Sequence, residues 1–343
     1  MTPIPELPAF DATSPAALAA VLTDDRLQAT TPWVARGLAA HWSMARAGAR
    51  SGAEAAAYLR ERWGGSGVGL LVAPPEADGR FFYDAQFTGF NFKRETARLQ
   101  VVLDALMQMA GTPDRTDAPG VYVGSTTIDT CLPGFRADND LPFGGRDPLA
   151  SIWLGNRSRI AAHFDLPDNL ACVVAGRRRF TLFPPDQLRN LYVGPLDVTP
   201  AGQSVSLVDF ARPDLQRFPR FARALEHARV AELAPGDAVF IPSMWWHHVE
   251  SLEPFNVLVN YWWRQSPEWM DSPLGALMAG LLTIRDLPPA QRETWRALFD
   301  HYVFSPDDDT VAHIPPHARG PLAPLTEAGA RQLRQVLLNR FKR

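Results

Sequence analysis

From Val121 onward the apolar positions fall in short runs of period two, separated by Gly, Pro and Asn. Val121–Ile128, Ser151–Leu154, Ile160–Phe164, Ala171–Ala175, Arg179–Phe183 and Val239–Ile241 each have the length and spacing of a strand. The stretch Phe240–Trp262 adds two runs rich in Val, Phe and Trp around Glu253-Pro254, and it predicts a β-hairpin buried on at least one face. Before Val121 the spacing is mixed. Ser14-Pro15 opens a helix, with Ser as N-cap and Pro in the first turn. A short strand is expected over Thr31–Leu38, helices over Ala39–Ala47, Gly52–Arg62 and Thr96–Met109, and a strand–turn–strand over Val68–Ala73 and Arg80–Tyr83. After Trp263 the period returns to that of helices, at Pro273–Leu282, Pro289–Tyr302 and Leu325–Phe341.

These patterns divide the chain into N-terminal helical and strand elements (1–120), a β-rich block (121–265) and a C-terminal helical region (266–343). The β-rich block carries a polar insert over 190–234, with a helix expected at Phe218–Arg229. Many short strands with regular turns indicate an antiparallel sandwich or barrel.

Composition narrows the function classes. Hydrophobic residues make up 46% of the 343 positions, enough for a sizeable core. Basic and acidic residues nearly balance at 34 and 37, so no general positive field points to nucleic acid. The two cysteines, Cys131 and Cys172, form no framework and no zinc-ligand spacing, which suggests a reducing, cytoplasmic compartment. The start of the chain does not read as a secretory signal, and no apolar run is long enough for a membrane span.

Candidate chemistry lies at His163-Phe164-Asp165 and at the adjacent His247 and His248. On a strand the first and third residues share a face, so His163 and Asp165 point together and only one of the paired histidines looks inward. A single histidine among tryptophans is more often a hydrogen-bonded core residue than a ligand. Two histidines and a carboxylate on strands of one β block change that balance, because this is the facial set suited to non-haem Fe(II). No Ser/His/Asp or Cys/His arrangement competes with it.

His163–Asp165, the GRRRFTLFPPDQ run (Gly176–Gln187) and the run from Pro235 to Ser251, which contains IPSMWWHHVES, resemble the JmjC/cupin-like 2-oxoglutarate oxygenases. Within that family the pattern is nearest to the asparaginyl hydroxylase branch. The resemblance implies a double-stranded β-helix (jelly-roll) fold that uses Fe(II), 2-oxoglutarate and O₂ to hydroxylate a C–H bond of a protein side chain or small molecule. By matching position it implies His163, Asp165 and His247 as metal ligands, with His248 turned away from the metal. It also implies Tyr122, Asn169 and Asn260 as cosubstrate contacts, and Arg178 as the partner of the distal carboxylate.

Two positions depart from that branch. Arg178 stands where it has Lys, and Ile160 where it has Thr. An arginine fork can hold a carboxylate bidentately and so replace both groups, or the pocket is altered. The second alternative corresponds to a cupin-like metal-binding or interaction protein without 2-oxoglutarate turnover. The resemblance further implies a homodimer built from the helices after Pro273, whose apolar stripes include Leu274, Leu277, Met278 and Leu281–Leu282, then Leu333, Val336, Leu337 and Phe341.

Overall fold

The computed structural model describes residues 3–112, 118–200 and 202–342. By its internal contacts the chain forms two compact units, Met1–Trp263 and Arg264–Arg343. Among the described residues the first unit holds the strands β1 (Ala9–Asp11), β2 (Trp33–Arg36), β3 (Gly67–Ala73), β4 (Arg80–Phe81), β5 (Lys93–Arg98), β6 (Gly120–Thr127), β7 (Leu149–Gly155), β8 (Ser158–His163), β9 (Asp168–Ala175), β10 (Arg178–Phe183), β11 (Arg229–Leu233), β12 (Ala238–Ile241), β13 (Trp246–Ser251) and β14 (Asn256–Trp263).

Nine of them form a large sheet in the order β1-β2-β12-β9-β14-β7-β6-β3-β5, and five form a smaller one in the order β11-β10-β13-β8-β4. From β7 to β14 the chain changes sheet at every connection except β10 to β11. Two sheets wound by one alternating path are the double-stranded β-helix, the architecture expected for this family. The N-terminal strands β1, β2, β3 and β5 widen the large sheet, and β4 runs parallel to β8 at the edge of the small one.

The alternation corrects one expectation. Phe240–Trp262 is not a hairpin: β13 pairs with β10 and β8, whereas β14 pairs with β9 and β7 in the opposite sheet. The residues between them arch across the sandwich. Both strands are buried along nearly all their length, and a run with two apolar faces carries no local mark of which sheet it joins. β3 and β4, expected as a strand–turn–strand, also lie in different sheets.

Other boundaries moved for local reasons. Helix Ser43–Arg50 starts four residues later than expected, after a turn at Gly37–Trp42. Helix Leu99–Ala110 is preceded by the edge strand β5. The helix in the insert is Phe221–His227, and it leads directly into β11.

The layers stack in a fixed order. The outer face of the large sheet, with Val257, Val259, Tyr261 and Phe240, is covered by helices that contribute Met44, Leu59 and Leu103. Val173, Phe180, Val249 and Leu258 fill the space between the sheets. The outer face of the small sheet, with Phe183 and Trp246, lies under Leu191, Val208 and Phe221 of the insert.

The unit Arg264–Arg343 contains helices Pro273–Thr283, Pro289–Phe299 and Glu327–Phe341. Among its described residues only Thr310 and Ala330 are buried, and Leu282 is 74% exposed. No helix among the described residues of the chain is long and apolar enough to cross a membrane.

Glycine marks the closest helix–sheet approach. A Cβ on Gly48, in helix Ser43–Arg50, would overlap the Val174 carbonyl oxygen and the Cα of Ala175 on β9. In β3, by contrast, a Cβ on Gly69 meets nothing within 4 Å. Gly48→Ala is therefore expected to destabilise the chain by about 1–3 kcal/mol through overpacking. Gly69→Ala should be neutral or stabilising by up to about 1 kcal/mol. Denaturant melts of the two variants check the contrast.

Candidate metal centre

Antiparallel pairing of β8 with β13 sets His163 directly opposite His247. Their ring centroids are 4.3 Å apart. Each Nδ1 lies on the carbonyl two residues earlier in the chain, His163 on Ala161 at 2.9 Å and His247 on Trp245 at 3.0 Å. A carbonyl can only accept, so each Nδ1 carries a proton and each Nε2 is left free of that contact. Burial, reinforced by the neighbouring His163, lowers the pKa of His247 to about 4 against the opposing pull of Asp165 and the Trp245 carbonyl. His247 is therefore neutral at pH 7, the form that ligates a metal.

Asp165 lies just beyond the end of β8 rather than on it. It reaches the same face because the loop before β13 grips its backbone. The Met244 N–H donates to the Asp165 carbonyl at 2.9 Å, and Met244 adopts a left-handed φ of 69° to do so. Ser243 holds the next turn, its hydroxyl donating to the Leu166 carbonyl at 2.6 Å and its N–H to Asp168 Oδ1 at 2.9 Å. The carboxylate itself accepts from the Trp262 indole at 3.2 Å and from Asn169 Nδ2 at 3.3 Å, both at Oδ2. One ligand atom from each of His163, Asp165 and His247 lies within 4.8 Å of the others. That set can hold one ion and leave one side of it open.

Arg178 faces this group across the cavity. Its neighbours Arg177 and Arg179 point outward to Glu232, at 2.7 and 3.2 Å. Arg178 takes the opposite face of β10, is 1% exposed, and has no partner for Nε or Nη2. Burial depresses its pKa, opposed by the adjacent Tyr122 hydroxyl; burial raises the Tyr122 pKa, opposed by Arg178. Ile160, Phe180, Val249 and Leu258 wall the same space with apolar surface. His163, Asp165, His247, Arg178, Tyr122, Asn169 and Asn260 all line this one cavity of about 120 Å³. The two asparagines are linked, Asn260 Nδ2 donating to Asn169 Oδ1 at 3.3 Å.

His248 turns away from the metal group but is not exposed. It is 4% accessible, against Phe210 of the insert with ring centroids 4.5 Å apart. Burial lowers its pKa to about 3. Alternation along β13 sets the two rings on opposite faces, the resemblance implied which of them looks inward, and the cover over the outer face comes from a distant segment. Two tryptophans had no chemical signal of their own. Trp262 donates to Asp165, and Trp153 donates from its indole to Asn260 Oδ1 at 2.6 Å. Trp262 stands two residues after Asn260 on β14, so the two share a strand face.

Comparison with known proteins agrees with the fold. The family described as "Cupin-like domain" matches residues 19–269. The chain is 37% identical over 228 residues to the lysine-specific demethylase JMJ31 of Arabidopsis thaliana. It is 39% identical over 128 residues to human HSPB1-associated protein 1. It is 36% identical over 105 residues to the tRNA wybutosine-synthesizing protein 5 of Danio rerio. These alignments cover 63%, 36% and 31% of the chain, and span only 35%, 25% and 29% of the relatives' own lengths. With the alternating two-sheet topology and the His-Asp-His group between the sheets, the match over most of the chain identifies it as a member of the cupin-like, JmjC-type domain family.

Proposed function

We propose that the chain is an Fe(II)- and 2-oxoglutarate-dependent oxygenase that hydroxylates a C–H bond of a protein side chain or small molecule. One observation carries the reading: two histidines and a carboxylate converge within 4.8 Å in the cavity that also holds a fully buried, partnerless arginine edge. JmjC-type proteins use Fe(II) and 2-oxoglutarate, and the donor set fits both. Two imidazoles and a carboxylate suit non-haem iron, and unpaired guanidinium N–H groups in an apolar wall call for an anion.

In this reading His163, Asp165 and His247 hold the metal, and the Ala161 and Trp245 carbonyls fix the two rings. Arg178, assisted by the Tyr122 hydroxyl, holds the distal carboxylate of 2-oxoglutarate. Its planar fork compensates for the hydroxyl that Ile160 lacks. Asn169 and Asn260 each keep a second amide N–H for the other end of the cosubstrate. Bound iron and 2-oxoglutarate supply the oxidising power for C–H hydroxylation. The chain's task is to orient them and, through Ile160, Phe180, Val249 and Leu258, to keep water from the reacting atoms.

Two unpaired, buried cysteines support the cytoplasmic placement. The helices after Pro273 support the dimer, because Leu277, Leu282, Val336, Leu337 and Phe341 are exposed in a unit that buries almost nothing of its own.

Three outcomes test these proposals. Purified protein with Fe(II), 2-oxoglutarate and O₂ should release succinate, and Asp165→Ala or His247→Ala should abolish both release and metal binding. His248→Ala should keep metal binding, and the reverse order for the two histidine variants would refute the face assignment. A wild-type chain that binds metal but releases no succinate would favour the binding-protein alternative. Arg178→Met should weaken 2-oxoglutarate by about 30- to 1000-fold, the loss of a charge partner to a buried carboxylate, with little change in metal affinity. Light scattering should give twice the chain mass of 37.9 kDa, and Leu337→Arg should return the chain to that single mass.

A further inference from the structure

The carboxylate of Asp165 ends a hydrogen-bond chain that begins at an indole. Trp153, on β7, donates to Asn260 Oδ1 at 2.6 Å; Asn260 Nδ2 donates to Asn169 Oδ1 at 3.3 Å; Asn169 Nδ2 donates to Asp165 Oδ2 at 3.3 Å. An asparagine amide has nearly the same shape either way round, so neither Asn260 nor Asn169 sets its own direction. The two ends do: the carboxylate accepts from Asn169, and at the other end the indole can only donate. It requires the oxygen of Asn260, which turns the nitrogen of Asn260 toward Asn169. Asn169 must then present its oxygen, and its nitrogen is left facing Asp165.

Reversing the two amides would leave the Trp153 N–H facing an amine. It would also set the Asn169 oxygen against the Asp165 carboxylate with no proton between them. Asn260 is 1% exposed and Asn169 6%, so bulk water does not repair such a fault. The Trp262 indole gives the same carboxylate oxygen its second N–H, and packs edge-on against Trp153 with centroids 5.7 Å apart.

We propose that Trp153 is a positioning residue of the metal centre: its donor-only N–H anchors the far end of the chain Trp153→Asn260→Asn169→Asp165 and so holds the Asp165 side chain in one orientation. This rests on the reading of His163, Asp165 and His247 as metal ligands.

Co(II) alone is the probe, since it reports ligand geometry in its visible absorption and needs neither cosubstrate nor oxygen. Two variants act on different links. Trp153→Phe removes the donor that anchors the far end of the chain. Asn260→Asp keeps the acceptor for Trp153 but opposes an oxygen to Asn169 Oδ1. Each is expected to weaken Co(II) by about 10-fold or more and to change the visible band, as loss of groups supporting a ligand does. Because both act through one chain, the double variant should lose no more than the worse single variant.

Thermal melts of the metal-free proteins monitor the fold. A packing role for Trp153 would lower the melting temperature of Trp153→Phe and leave the Co(II) spectrum and affinity of Asn260→Asp unchanged. Co(II) binding that is alike in the wild type and both variants, or additive losses in the double variant, overturns the proposal and leaves the metal reading standing. A wild-type chain that binds no Co(II) overturns the metal reading, and this proposal with it.

Discussion

The site depends on one cross-strand contact, His163 facing His247 on the small sheet. Neither residue is a ligand by itself. Pairing of β8 with β13 puts the rings on one face, and the Ala161 and Trp245 carbonyls turn both Nε2 atoms the same way. The small sheet survives as a platform because both its faces are covered. The insert closes the outer face over Trp246 and His248, while the large sheet closes the inner one. Burial on that inner side holds His247 neutral through the physiological range. The imidazole is thereby kept in its ligating form before any ion arrives.

Three consecutive arginines show how finely the pleat divides chemistry. Arg177 and Arg179 lie in water with Glu232 for company, where ion pairs contribute little. Arg178, between them, sits in the interior with two unpartnered nitrogens. A buried guanidinium is among the most costly groups to place in a core, so its position beside Tyr122 makes structural sense only in relation to an anion.

Face was legible in the sequence wherever a strand was. Period-two alternation separated His247 from His248 and Arg178 from its neighbours, because side-chain direction is a local property of extended backbone. Sheet membership was not legible. The Phe240–Trp262 stretch has the composition of a hairpin, yet its halves lie in opposite sheets, because a run buried on both faces bears no mark of its partner. The edge strand β5, Lys-Arg-Glu-Thr-Ala-Arg, had no apolar face to announce it and exists through pairing with β3. Asp165 joined the histidines although the strand ends before it, held by the Met244 and Ser243 loop rather than by the pleat. The roles of Trp153 and Trp262 are hydrogen bonds over 97 or more positions, and no window along the chain contains both ends.

The path that switches sheets at nearly every connection has a kinetic consequence. His163 and His247 lie on strands far apart in sequence, with β9 to β12 and the insert between them. Folds dominated by such distant contacts form slowly, since each loop must close before its contacts stabilise it. The ion site is therefore absent from every partly folded chain that has not yet docked β13 beside β8. Under the proposed metal role, an ion would find its three ligands together only in chains that have paired β8 with β13, and it would stabilise only those.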